Sequence, residues 1–135
     1  MTANHAAPLL YIGLCGLLLF VLSVRVTLMR RRLGVSLGTG GDPTLERLCR
    51  IQANFAEYAP LFLLALAGLA YAGTPAPTIH VLGIAFIAGR IIHAWALMQQ
   101  GRIHAIARPV GMMLTWVPLV AASTMLVVIW AGRPV

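Results

Sequence analysis

Four long apolar stretches constrain this chain more than any other feature of its sequence. They predict four helices, at roughly 8–29, 47–73, 78–98 and 108–131. Each stretch is close to the ~20 residues that a helix needs to cross the hydrocarbon core of a bilayer. Of the 135 residues 60% are hydrophobic, more than an ordinary soluble domain carries. The sequence therefore predicts an all-α integral membrane protein, folded as a single domain over 1–135.

The connections between the stretches indicate how the helices are arranged. Most are short, so an up-down four-helix bundle is the economical topology. Asp42 and Pro43 are expected to start the second helix, because proline is favoured at the first helical position. Gly101 and Pro109 are expected to bracket a longer third connection. No basic segment precedes the first stretch, so we read it as a retained span and not as a secretory signal.

Several residues within the spans are expected to serve packing. Small residues let membrane helices approach closely. Cys15 and Cys49 lie on different helices at different depths, which argues against a disulfide, and their spacing fits no metal site. The other residues assigned to close packing, core filling or interfacial anchoring are Gly13, Gly16, Gly83, Gly89, His80, Met112, Met113 and Trp116.

The charge pattern predicts orientation. All ten cationic side chains are arginine, and the net charge is +7. The positive-inside rule places the first and third connections, where most arginines lie, in the cytoplasm, and both termini outside. Nucleic acid is a poor partner, because these arginines sit at the ends of spans. They are Arg30, Arg31, Arg32, Arg47 and Arg50 around the first connection, and Arg102 and Arg108 around the third.

A polar run at the start of the second span predicts a functional site, since charge inside a membrane is expensive and rare. Arg50, Asn54, Glu57 and Tyr58 have the spacing of one helical face, and Arg47 joins that face. Gln52 points the other way, about 200° from Arg50 at ~100° per residue. The second helix thus offers two different polar surfaces.

Polar groups on the other spans are expected at the same depth. They are Arg30 at the end of the first, Arg90 and His93 in the third, and Arg108 opening the fourth. Interfacial anchoring is the alternative for the arginines. It fits Arg31, Arg32, Arg102 and Arg133, but fits the deeper Asn54, Glu57 and Arg90 badly. We therefore predict one buried site.

Such a cluster suits a small anionic or zwitterionic ligand. Arginine forks bind carboxylates bidentately, and a carboxylate such as that of Glu57 can bind an ammonium group. If the ligand carried a thiol, nearby guanidinium groups would favour its thiolate, which is a competent nucleophile. A lipophilic electrophile dissolved in the bilayer can reach it between helices.

The second-span run follows the pattern Arg-x-Gln-x-Asn-x-x-Glu-Tyr-x-Pro, from Arg50 to Pro60. This pattern resembles the MAPEG family, the membrane-associated proteins in eicosanoid and glutathione metabolism, and the resemblance covers nearly the whole chain. Its bacterial members are the most similar in size, which implies a bacterial inner (plasma) membrane. Other positions that fit are Glu46-Arg47, Arg90-x-x-His93, Arg108, Ser23 and Arg30-Arg31.

The resemblance implies a homotrimer that binds glutathione, as a co-substrate and without a metal, between neighbouring subunits. Arg108 would stabilise the glutathione thiolate, and Arg31 would assist proton transfer at the lipophilic substrate. One protomer would line the glutathione site with Arg47, Arg50, Asn54, Glu57, Tyr58, Arg90 and His93, and its neighbour with Ser23, Arg30 and Gln52.

Three functions are weighed on this basis. The favoured one is a glutathione-dependent transferase or peroxidase that acts on lipophilic electrophiles. The alternative is a non-catalytic scaffold of the same fold that binds lipid or glutathione. A small multidrug exporter is disfavoured, because the first span holds no acid. Leu97 stands where several eicosanoid enzymes have tyrosine, and His93 where some members have it, which argues against eicosanoid specificity more than against glutathione binding.

Overall fold

The computed structural model describes residues 3–99 and 101–132, with side chains from residue 6 onward. It contains four helices: α1 (Ala3–Leu33), α2 (Pro43–Tyr71), α3 (Ala76–Met98) and α4 (Gly101–Ala131). Each is long and apolar enough to cross a membrane. No strand occurs in the described ranges. The predicted all-α membrane architecture is confirmed.

The start of α2 follows the predicted chemistry. Asp42 adopts an extended backbone before the helix, and its carboxylate accepts a hydrogen bond from the Leu45 amide at 2.7 Å. Pro43 occupies the first helical position, where its missing N–H costs nothing. The connection before it turns on glycines with positive φ, Gly38 (67°) and Gly41 (78°) among them, a conformation that glycine adopts without steric cost.

The third connection is much shorter than predicted. α3 ends at Met98 and α4 begins at Gly101, seven residues before the predicted start at 108, so Pro109 lies inside the helix. The first two turns of α4 are too polar to register as part of an apolar stretch, although they are helical. His104 ties the turn together, since its Nδ1 lies 2.9 Å from the Ala96 carbonyl oxygen. Arg108 therefore projects from an established helix, two turns after its start.

The core fills the centre of the bundle with large apolar side chains. Phe62 of α2 and Phe86 of α3 stack nearly parallel, with ring centroids 4.0 Å apart, and both are fully buried. Tyr11 of α1 is also buried, and its hydroxyl lies 2.8 Å from Nδ1 of His80 and 3.1 Å from the His80 carbonyl oxygen. His80 thus joins α1 to α3.

Glycines set the distance between α3 and α4. A Cβ added at Gly89 would lie 2.8 Å from the Leu114 backbone, and one at Gly111 would lie 2.6 Å from the His93 amide nitrogen. Gly83, as predicted, also supports close packing, under the Tyr11 ring. The same prediction is not met within the chain by Gly13 and Gly16, because a Cβ there would meet no atom within 4 Å.

Replacing Gly111 with alanine should push α3 away from α4 and lower the free energy of unfolding by about 1–3 kcal/mol, the usual cost of overpacking. Circular dichroism in detergent during denaturant unfolding measures this change. Gly13→Ala is the control and should not destabilise the protein, because the added methyl meets open space. Equal losses in both variants would contradict the proposed close contact.

Candidate functional site

A cavity of about 490 Å³ lies between α2, α3 and α4. Its volume falls within the range of small-molecule sites, roughly 300–1,000 Å³. Met113 and Trp116 line it and are also exposed on the outside of the bundle, so the cavity opens sideways. Its polar lining is Arg50, Asn54, His93 and Arg108, and its apolar lining is Leu97, Pro109, Met112, Met113 and Trp116.

Two guanidinium groups at this cavity have no partner among the residues that the structure describes. Arg50, near the start of α2, and Arg108, on α4, are both exposed side chains that line it. Neither makes a hydrogen bond or ion pair with another residue in the ranges 3–99 and 101–132. Arginine remains charged at any ordinary pH. The cavity therefore presents two free cationic forks to whatever enters it.

Arg90 lies behind the cavity and does not line it. Its side chain is only 1% exposed. Nη2 donates to Asn54 Oδ1 at 2.7 Å, and Nη1 donates to Thr115 Oγ1 at 3.2 Å. The guanidinium carbon lies 5.7 Å from the centroid of the Tyr58 ring, within range of a cation–π interaction. Thr115 donates in turn to the Gly111 carbonyl at 2.9 Å. Arg90 thus joins α2, α3 and α4.

His93 is buried at the wall of the cavity, one turn after Arg90 on α3. Its Nδ1 is enclosed and has no hydrogen-bond partner among the described residues. Buried polar atoms of this kind are rare in folded proteins. A ligand could reach this nitrogen only if the imidazole turned, so the structure assigns His93 to the wall of the cavity.

The predicted residues of α1, together with Gln52, lie outside this cavity. Gln52 Nε2 donates to Ser23 Oγ at 2.8 Å, across the contact between α1 and α2. Arg30 donates to the Ser36 carbonyl at 3.3 Å and to Cys49 Sγ at 3.6 Å. Arg31 is exposed, and no α1 side chain that the structure describes lines the cavity. Of the predicted site residues, a single chain therefore brings only Arg50, Asn54, His93 and Arg108 to this cavity.

Glu57 and Arg47, both predicted to bind the ligand, do not line the 490 Å³ cavity. Glu57 is exposed on α2, and it makes no hydrogen bond or ion pair within the described part of the chain. Arg47 lines a smaller cavity of about 310 Å³ beside the third connection, together with Leu97 and His104. Leu97 lines both cavities and so separates them.

One face of α4 contributes to this region in a way that the sequence expectations do not include. They give no role to Thr115, and they assign Met112, Met113 and Trp116 to filling the core or anchoring the helix. Met112, Thr115 and Trp116 follow Arg108 at positions i+4, i+7 and i+8, which is one helical face. The same periodicity that grouped the polar residues of α2 could have found them.

Replacing Asn54 with alanine removes the acceptor for the closest hydrogen bond of Arg90 and leaves a buried charge less satisfied. The expected loss in the free energy of unfolding is about 1.5–3 kcal/mol, the value of a hydrogen bond to a charged group. Denaturant unfolding in detergent measures it. Arg50→Ala, one turn away on an exposed and unpartnered side chain, should change stability by less than about 0.5 kcal/mol. A similar loss in Arg50→Ala would count against this assignment.

Comparison with known proteins agrees with this architecture. An uncharacterized protein of Synechocystis sp. is 30% identical over 128 residues, which cover 93% of this chain and 90% of that protein. The sequence profile of the MAPEG family matches residues 8–128. This family includes glutathione transferases and peroxidases. Because the match spans four membrane helices and nearly the whole chain, this protein belongs to the MAPEG family.

Proposed function

We propose that this protein binds glutathione as a co-substrate and joins it to lipophilic electrophiles that arrive from the bilayer. The observation that carries the proposal is the two-sided lining of the 490 Å³ cavity. Arg50 and Arg108 supply free cationic groups, while Met113 and Trp116 supply an apolar wall that reaches the outside of the bundle. A hydrophilic acid and an apolar molecule can therefore meet there.

The polar groups at and beside the cavity suit the functional groups of glutathione. At neutral pH glutathione carries two carboxylates, an ammonium group and a thiol. Arginine forks such as that of Arg50 bind carboxylates bidentately. The amide of Asn54 and the imidazole of His93 can form neutral hydrogen bonds. Glu57, exposed on the same face of α2, can bind the ammonium group.

Arg108 is proposed to stabilise the thiolate. A neighbouring cation lowers the pKa of a thiol from its usual value near ~8.5. The thiol proton leaves to water, and the sulfur lone pair then attacks an electrophilic carbon. A carbon–sulfur bond forms while the bond to a leaving group such as halide breaks, and the leaving group departs with the electron pair. Reduction of a lipid peroxide by the same thiolate is the related reaction.

The predicted residues that lie outside the cavity are proposed to serve a neighbouring subunit. In a homotrimer, α1 and the opposite surface of α2 would cover the open side of a partner's cavity. Arg31 would then approach the lipophilic substrate and assist proton transfer. The residues supplied in this way would be Ser23, Arg30, Arg31 and Gln52.

The site is proposed to lie near the cytoplasmic surface of a bacterial inner membrane. The support is the arginine distribution, since the cavity is at the end of the bundle that carries the first and third connections. Both termini would then be on the non-cytoplasmic side. This orientation gives the cavity access to cytoplasmic glutathione.

Glutathione binding is tested by titration calorimetry on the detergent-purified protein. Arg50→Ala should weaken binding at least tenfold, because a charge-assisted, bidentate contact is lost. The matched control is Arg102→Ala, an exposed arginine of α4 that does not line the cavity, and it should bind like the wild type. No heat of binding at millimolar glutathione would reject the proposed function.

The role of Arg108 is tested by the ultraviolet absorbance of bound thiolate as a function of pH. In Arg108→Ala the pKa of the bound thiol should rise toward that of a free thiol. The thiolate, and with it turnover of a halo-dinitrobenzene, should be lost at pH values between the lowered pKa and the pKa of the free thiol. Both should recover above the pKa of the free thiol. Arg108→Lys keeps a cation and should retain part of the shift.

The non-catalytic scaffold makes the opposite prediction for the same measurements. It allows glutathione to bind but gives no thiolate absorbance below the free pKa and no turnover. An unchanged thiol pKa in Arg108→Ala would also remove Arg108 from the mechanism. If the wild-type protein binds glutathione but shows neither thiolate absorbance below the free pKa nor turnover, the scaffold function is favoured over the enzyme.

A further inference from the structure

The contact between Arg90 and Asn54 fixes which end of the Asn54 amide faces Arg90. A guanidinium group can only donate hydrogen bonds. Because Arg90 Nη2 lies 2.7 Å from the Asn54 side chain, the amide must turn its oxygen toward Arg90. Its Nδ2 group has no partner among the described residues, and Asn54 is one of the residues that line the cavity.

Arg90 is itself held from the opposite side. Thr115 accepts from Nη1 at 3.2 Å, and its own hydroxyl hydrogen is committed to the Gly111 carbonyl at 2.9 Å. The hydrogen bond to the Gly111 carbonyl holds the Thr115 hydroxyl in one orientation. The chain of hydrogen bonds therefore runs from the backbone of α4 through Thr115 and Arg90 to Asn54.

Direct contact between Arg90 and a ligand is the alternative, and burial argues against it. Arg90 is 1% exposed in the single chain, and neighbouring subunits can only cover it further. Nη1 and Nη2 are occupied by Thr115 and Asn54, and Nε is buried with no hydrogen-bond partner among the described residues. A ligand would have to displace Asn54 to reach it.

We propose that Arg90 is a positioning residue that acts through Asn54, turning the amide so that Nδ2 donates to a carboxylate of glutathione. This inference rests on the proposed function and departs from the expectation that Arg90 binds glutathione directly. With the Asn54 oxygen occupied, three cavity residues present donors: Arg50, Arg108 and Asn54. That pattern selects an anion over a neutral ligand.

A double-mutant cycle on glutathione affinity distinguishes the two roles. Asn54→Ala and Arg90→Lys should each weaken binding roughly tenfold, as expected for one hydrogen bond to a charged group. Arg90→Lys preserves the charge but not the fork that spans Asn54 and Thr115. If Arg90 acts through Asn54, the double variant should bind like Asn54→Ala alone. Losses that multiply would mean direct contact and would overturn the inference.

A second variant keeps the test decisive if Arg90→Lys does not fold. Thr115→Val is close in shape and frees Arg90 from its anchor on α4 without touching the charge. It should weaken glutathione binding in the wild-type background and have no effect in Asn54→Ala. An equal effect in both backgrounds would show a general packing change and overturn the inference.

Ligand chemistry supplies a readout that a purely structural role would not move. Arg90→Lys should weaken binding of glutathione more than binding of its dimethyl ester, which lacks both carboxylates. Equal loss for both ligands would contradict the proposal. If the wild-type protein binds neither ligand, the proposed function and this inference fail together, whereas normal wild-type binding with multiplicative losses removes the inference alone.

Discussion

A buried positive charge governs the arrangement of this bundle. Removing an ion from water costs several kcal/mol even after the protein relaxes, and no carboxylate among the described residues pairs with Arg90. The compensation comes from two hydrogen bonds, to Asn54 and Thr115, and from the face of Tyr58. These partners lie on α2 and α4, so all three helices must keep one relative depth. A slip of one helical turn would leave the charge without them.

The same arrangement accounts for the mixed character of the neighbouring cavity. Asn54 belongs to both, since its amide oxygen accepts a hydrogen bond from Arg90 and the residue lines the cavity. α3 and α4 pack unusually closely beside this cavity, because Gly111 of α4 lies against the His93 backbone of α3. Asn54 is therefore in contact with the buried charge and with the cavity, and the adjoining helices α3 and α4 are closely packed. Such support keeps polar groups oriented before a ligand arrives, which lowers the entropy that binding must overcome.

Sequence periodicity predicted the fold well because membrane spans need long apolar stretches. It failed at the start of α4, where Arg102, His104 and Arg108 make the first turns polar, although the backbone is helical. It places Arg50 and Asn54 on one face of α2, and both line one cavity, whereas Arg47, Glu57 and Tyr58 of the same predicted face do not line it. Periodicity within one helix cannot say which side chains meet between helices. The burial of Arg90 against Thr115 was therefore beyond its reach.

The brevity of the link between α3 and α4 has a mechanical consequence. α3 ends at Met98, α4 begins at Gly101, and His104 ties the turn to Ala96. With glycines seated between them, these two helices form a stiff hairpin. The segment before α2 is longer, and it turns on glycines with positive φ between residues 34 and 41. The cavity is therefore bounded on two sides by one rigid unit, and its width depends on how the Asn54–Arg90 hydrogen bond holds α2 against that unit.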